Sequence, residues 1–149
     1  MRRRVDPAQV AKLVEVQHAR RAIAEASLTT ARDDEFEARA REARARDEAT
    51  SAQDDWFSFV AEPGFAPDYA RALAGRLVAR EDMAAIAAAD CDGARRAHLH
   101  CQDDWRRSEA QVKLTEASVD RARRDAGRDR EERRLSQLSD RVTYAWVRS

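Results

Sequence analysis

Apolar residues recur along this chain at alternating steps of four and three. One series runs from Val10 and Val14 through Ala24, Leu28, Ala31, Ala38, Ala45, Ala49 and Ala52 to Trp56 and Phe59. Gln17, Arg21, Glu35 and Glu42 interrupt it, so eleven of its fifteen positions are apolar in a stretch otherwise dominated by charge. A second series starts at Ala66 and Ala70 and passes Leu73, Leu77, Ala84, Ala87, Cys91, Ala94, Cys101, Trp105, Val112 and Val119 to end at Ala122 and Ala126. Its polar members are Arg80, His98, Ser108 and Thr115. A sustained repeat of about 3.5 residues keeps one narrow stripe turned towards a partner helix. Two such stripes joined by a short break predict an all-α fold, a long two-helix antiparallel coiled-coil hairpin.

The ends of the helices are marked by chemistry. Asp6 can cap free N–H groups, and Pro7 in the first turn forfeits no hydrogen bond. Proline and glycine cluster only at Glu62-Pro63-Gly64-Phe65-Ala66-Pro67, which predicts the turn. Pro67 then opens the second helix, with Asp68 favourably placed in its first turn. The expected organisation is a single hairpin domain over 1–149, with a helix over 7–60, a turn over 61–66 and a helix over 67–147.

A turn centred on Gly64 puts Trp56 near Ala70 and Leu73, and Trp105 near Arg21 and Ala24. On that register the first helix runs out opposite residue ~120, leaving roughly thirty residues of the longer second helix overhanging at the C-terminus. Beyond Gly127 the large apolar residues Leu135, Leu138, Val142 and Trp146 leave the earlier stripe. That phase change implies a different partner for the overhang.

Composition agrees with long helices rather than a thick core. Alanine supplies nearly half of the apolar count, charged residues make up 38%, and there are four glycines and three prolines. Twenty-eight basic residues balance twenty-eight acidic ones, so no global field holds the chain on nucleic acid or an anionic membrane. No run approaches the ~18 apolar residues of a membrane span, and MRRRVDPAQV lacks the apolar segment of a signal peptide. The expectation is a cytoplasmic protein without membrane insertion.

Candidate chemistry is sparse. QDDW occurs as Gln53-Asp54-Asp55-Trp56 and as Gln102-Asp103-Asp104-Trp105. Neighbouring helical carboxylates diverge by about 100°, so neither pair converges on a metal or a substrate. Each copy instead supplies polar heptad positions e, f and g, then a tryptophan at a. Cys91, His98, His100 and Cys101 are zinc-type ligands, but without CxxC or HExxH spacing. Ten residues separate the cysteines along one helix, about 15 Å, which excludes an intrachain disulfide. No metal, cofactor or enzymatic activity is expected. Arg80, Glu35, Glu42, Arg21 and Gln17 are expected to fix register, because a polar seam residue penalises slipped pairings.

Large apolar residues also fall at outward positions, with Phe36, Val78 and Leu99 at b and Val16, Ile23, Ile86 and Leu114 at c. They suit a protein partner or self-association.

The layout resembles the FliJ family of flagellar export proteins and its relatives of type III secretion injectisomes, the YscO/SctO group. The resemblance lies in a hairpin of this length, a shorter first helix, a break a little before the middle and a longer second helix. Two local details accompany it: Phe65-Ala66-Pro67-Asp68-Tyr69 leading into the second helix, and Trp105-Arg106-Arg107 some forty residues later. The Ala/Arg bias departs from Gln/Lys-richer members of that family.

The resemblance implies a cytoplasmic stalk, peripheral to the cell membrane through its protein partners. One end would enter a hexameric export ATPase, and another part would reach the membrane export gate, with export chaperones as further partners. It would assign Val10, Val14, Leu135, Leu138, Val142 and Trp146 to the ATPase. Phe36, Phe57, Phe65, Tyr69, Val78 and Ile86 would be available to the gate. Two alternatives stand beside it: an RNA-binding helical arm, which needs a local basic stripe, and a generic coiled-coil adaptor.

Overall fold

The structure is a computed structural model and describes residues 7–148. It consists of two helices, α1 (Pro7–Ala61) and α2 (Pro67–Val147), with no strand among the described residues. The fold is the all-α antiparallel hairpin that the two stripes dictate, and its second helix is the longer, at 81 residues against 55. At the break, the Glu62 amide donates to the Phe59 carbonyl at 3.3 Å, tightening the last turn of α1. Gly64 follows with φ of 122°, a left-handed conformation that side chains with a Cβ disfavour. The Ala66 carbonyl then accepts from the Ala70 amide at 2.9 Å. Pro67 can therefore begin α2 without wasting a donor.

The chain divides into two compact units, one over 24–105 and one formed by 1–23 with 106–149. In the 24–105 unit the heptad stripes are the seam. Ala31, Glu35, Ala38 and Ala52 of α1 and Ala70, Leu73 and Cys91 of α2 are buried. The other stripe members within the helices are half-buried. Off the stripes only Ala40, Ala74, Ala88, Gly93, Gln102 and Asp104 escape full exposure. Ala66, which the second stripe includes, lies in the turn and is exposed. No large side chain is fully buried among the described residues. The seam is thin because alanines line it, and their small size lets the two backbones approach closely.

Polar seam residues set the register of this unit. His98 Nδ1 pairs with Glu35, Glu42 lies against the Cys91 thiol, and Arg80 pairs with Glu48. Arg76 Nη1 also donates to Asp55 Oδ2 at 3.1 Å. Carried by heptads from the Glu35–His98 pair, this register sets Trp56 level with Leu77 and Trp105 level with Leu28. Both tryptophans therefore face partners one to two turns from those that a turn centred on Gly64 predicts. The physical reason lies in the turn. Residues 62–66 climb past the end of α1, so α2 starts about one turn beyond it. Near the turn, Phe59 of α1 meets Tyr69 edge-on at 5.2 Å and Trp56 at 6.2 Å.

In the unit of 1–23 and 106–149, Val10, Val112 and Thr115 are buried. Val14, Gln17, Arg21, Ser108, Val119, Ala122 and Ala126 are half-buried. His18 Nε2 and Glu116 Oε1 lie 3.0 Å apart across the helices. The Thr115 hydroxyl satisfies itself by donating to the Gln111 carbonyl at 2.7 Å. Burial on α2 ends at Ala126 and Gly127, and every residue from 128 to 148 is exposed. The overhang therefore begins about two turns later than the expected residue ~120, a consequence of the same shift in register.

Candidate protein-interaction surfaces

The residues expected to meet an ATPase fall into two kinds. Val10 is only 9% exposed, because its seam position is spent on α2, and Val14 is half-buried for the same reason. Leu135, Leu138, Val142 and Trp146 are exposed, Trp146 to 84%. Tyr144 and Val147 are exposed beside them, and the Arg148 guanidinium stands 5.5 Å from the Tyr144 ring centroid, a cation–π contact. At about 100° per residue, the Leu135–Leu138–Val142 stripe lies roughly opposite the Val119–Ala122–Ala126 seam stripe, about 160° round α2. Continuing the seam along α2 would not cover it. The stripe needs a surface of its own.

The six residues expected to meet a gate are all exposed in the structure. They do not form one patch. Phe36, Phe57 and Val78 occupy b positions, on the edge of the 24–105 unit where b and e positions of the antiparallel helices adjoin. Ile86 and Tyr69 occupy c and g positions on the opposite edge, and Phe65 lies in the turn. Leu99, an outward residue left out of that set, joins Phe36 in lining an open groove of about 480 Å3, together with Arg32, Arg39 and Arg95. The signal for it was its b position. Pairing it with Phe36 required the register between the helices, which a stripe on one helix does not reveal.

Beneath this groove lies the Glu35–His98 pair. Glu35 is 5% exposed and takes a second bond from Arg39 Nη2, one turn along α1. The hydrogen bond from His98, supported by the charge of Arg39, outweighs burial and holds the Glu35 carboxyl below its ordinary value. Cys91 shows the reverse. Glu42 and burial push its thiol above the ordinary value, so it stays protonated and unreactive. Cys91 and Cys101 are both free. Among the described residues no group of three or more His, Cys, Asp or Glu side chains is arranged to hold a metal ion. Among them, too, no helix is long and apolar enough to cross a membrane.

Comparison with protein-family models, with curated proteins and with solved structures gave no match.

Proposed function

We propose that this chain is a non-enzymatic coiled-coil stalk of a type III export apparatus, flagellar or injectisome. In this reading it binds a hexameric export ATPase through its C-terminal segment and the export gate through the part nearer the turn. The observation that carries it is the exposed stretch from 128 to 148, with Leu135, Leu138, Val142 and Trp146 along it. A helical segment of about twenty residues with no covered apolar face is marginal in water. Its stripe is explained if a partner surface covers it. The layout shared with FliJ-like proteins suggests which partner.

The test is a pull-down on the export ATPase of the same organism, comparing the full chain with a chain ending at residue 127. Loss of the segment should weaken binding by about tenfold or more, since clustered apolar anchors dominate such interfaces. Equal binding by both forms would reject the role given to Leu135 through Trp146. Salt-sensitive RNA binding by the full chain, with no ATPase binding, would favour the helical-arm alternative instead.

A further inference from the structure

Beyond Gly127 the second helix carries an amphipathic pattern of its own, and every residue from 128 to 148 is exposed. At about 100° per residue, Leu138, Val142, Leu135 and Trp146 fall within an arc of about 80°. Arg134, Arg141 and Arg148 follow one side of that arc, roughly 40–80° beyond Leu138. The other side carries the neutral hydroxyls of Ser139, Thr143 and Ser136. From 133 to 148 the remaining charges are Arg133 and Asp140, which lie about 160–180° from the centre of the arc and cancel each other. Glu131 lies in the arc one turn before Leu135 and marks where the apolar face begins. Asp129 and Glu132 also precede Leu135, beside Arg128 and Arg130. The charges of the chain balance overall, yet from Leu135 onwards the apolar face is bordered by cations alone.

A row of arginines beside an apolar stripe that ends in tryptophan suits a helix lying in the interface of a bilayer. The arginine stems can follow the stripe while their guanidinium groups reach lipid phosphates. Arg134 and Arg141 make no side-chain ion pair among the described residues, and Arg148 also rests against the Tyr144 ring. Trp146, near the helix end, suits the level of the headgroups. Nothing in its own unit covers the segment, so it can lie flat on a plane. We propose that residues 133–148 form an interfacial helix that binds the surface of a bilayer rich in anionic phospholipid. It lies on the membrane and does not span it. A second copy is the poorer occupant. Antiparallel pairing along the stripe sets Arg134 beside Arg148 and Arg141 beside its own copy, whereas parallel pairing stacks Arg128 on Arg128 and Glu131 on Glu131. The inference goes beyond the export-stalk reading, which gives the same stripe to a protein. Its test needs no ATPase, so either reading can fail alone.

The experiment is co-sedimentation of the full chain with lipid vesicles in about 0.1 M salt. Vesicles of phosphatidylcholine with about 30% phosphatidylglycerol, at about 1 mM lipid, should pellet most of the protein. Phosphatidylcholine alone should bind it more weakly by about tenfold or more. Arg134→Glu with Arg141→Glu should weaken binding to the anionic vesicles by a similar factor. Leu138→Ala with Val142→Ala should do so too at unchanged charge, which separates burial of the stripe from loose attraction to the surface. All four side chains are outside the seam, so unchanged circular-dichroism melts verify that the variants fold. Equal binding to the two kinds of vesicle, no binding to either, or binding indifferent to the Leu138 and Val142 changes would overturn the proposal. A dimer that those changes dissolve, with no vesicle binding, would give the stripe to a second copy and overturn it too.

Discussion

At Glu35 the seam holds a carboxylate that stays ionised despite 5% exposure, because His98 bonds it from α2 and Arg39 from one turn along α1. A carboxyl held below its ordinary value in the folded state adds stability that is complete above the unfolded value. That stability is lost as pH falls through the folded value. The melting temperature followed by circular dichroism should therefore drop between about pH 5 and pH 3, and Glu35→Gln should drop less over the same window. Parallel curves would show that Glu35 carries none of the acid sensitivity. In sequence, Glu35 and His98 stood out as polar interruptions of apolar stripes, and a role in register could be assigned to Glu35. That they meet each other could not be read, because each helix alone leaves its partner's axial position free.

Among the elements, the turn and the helix interiors make opposite demands on glycine. Gly64 has φ of 122° and open space around its missing Cβ, so Gly64→Ala costs backbone strain alone. Destabilisation of about 1 kcal/mol or more is expected in urea titrations. Gly75 lies inside α2, and an added Cβ there meets no atom within 4 Å. Gly75→Ala should stabilise by about 1 kcal/mol in the same titrations. A loss at Gly75 would mean that the position serves something other than the helix. The helices themselves were fully legible, since in α1 every stripe residue from Val10 to Phe59 is buried or half-buried. The 3.5-residue repeat survives the dense charge because stripe residues line the seam, while charged neighbours reach the other helix only at its edges, as Arg76 reaches Asp55.

For the molecule as a whole, the decisive quantity is where pairing ends. Covered positions on α2 stop at Gly127, and the helix beyond depends on its own backbone hydrogen bonds. Amides of 128–148 should exchange with deuterium far faster than those of 31–105 when followed by mass spectrometry. A bound partner should slow them. Protection equal to that of the seam in the isolated chain would mean that the segment is already covered. By itself the sequence determined the fold class, the break at Glu62 to Ala66, the seam stripe on each helix and the apolar stripe on the overhang. These follow from local chemistry and from a periodicity that each helix carries alone. Only the tertiary structure decided the register. Sliding one alanine-rich stripe along the other by a heptad returns apolar residues to apolar positions at little cost, so the stripes do not choose between alignments. The choice falls to the path of the turn and to a few polar pairs, Glu35 with His98 and Glu42 with Cys91, which a slip would separate. From that choice follow the level of each tryptophan, the end of the overlap at Gly127, and the meeting of Phe36 with Leu99 across one groove.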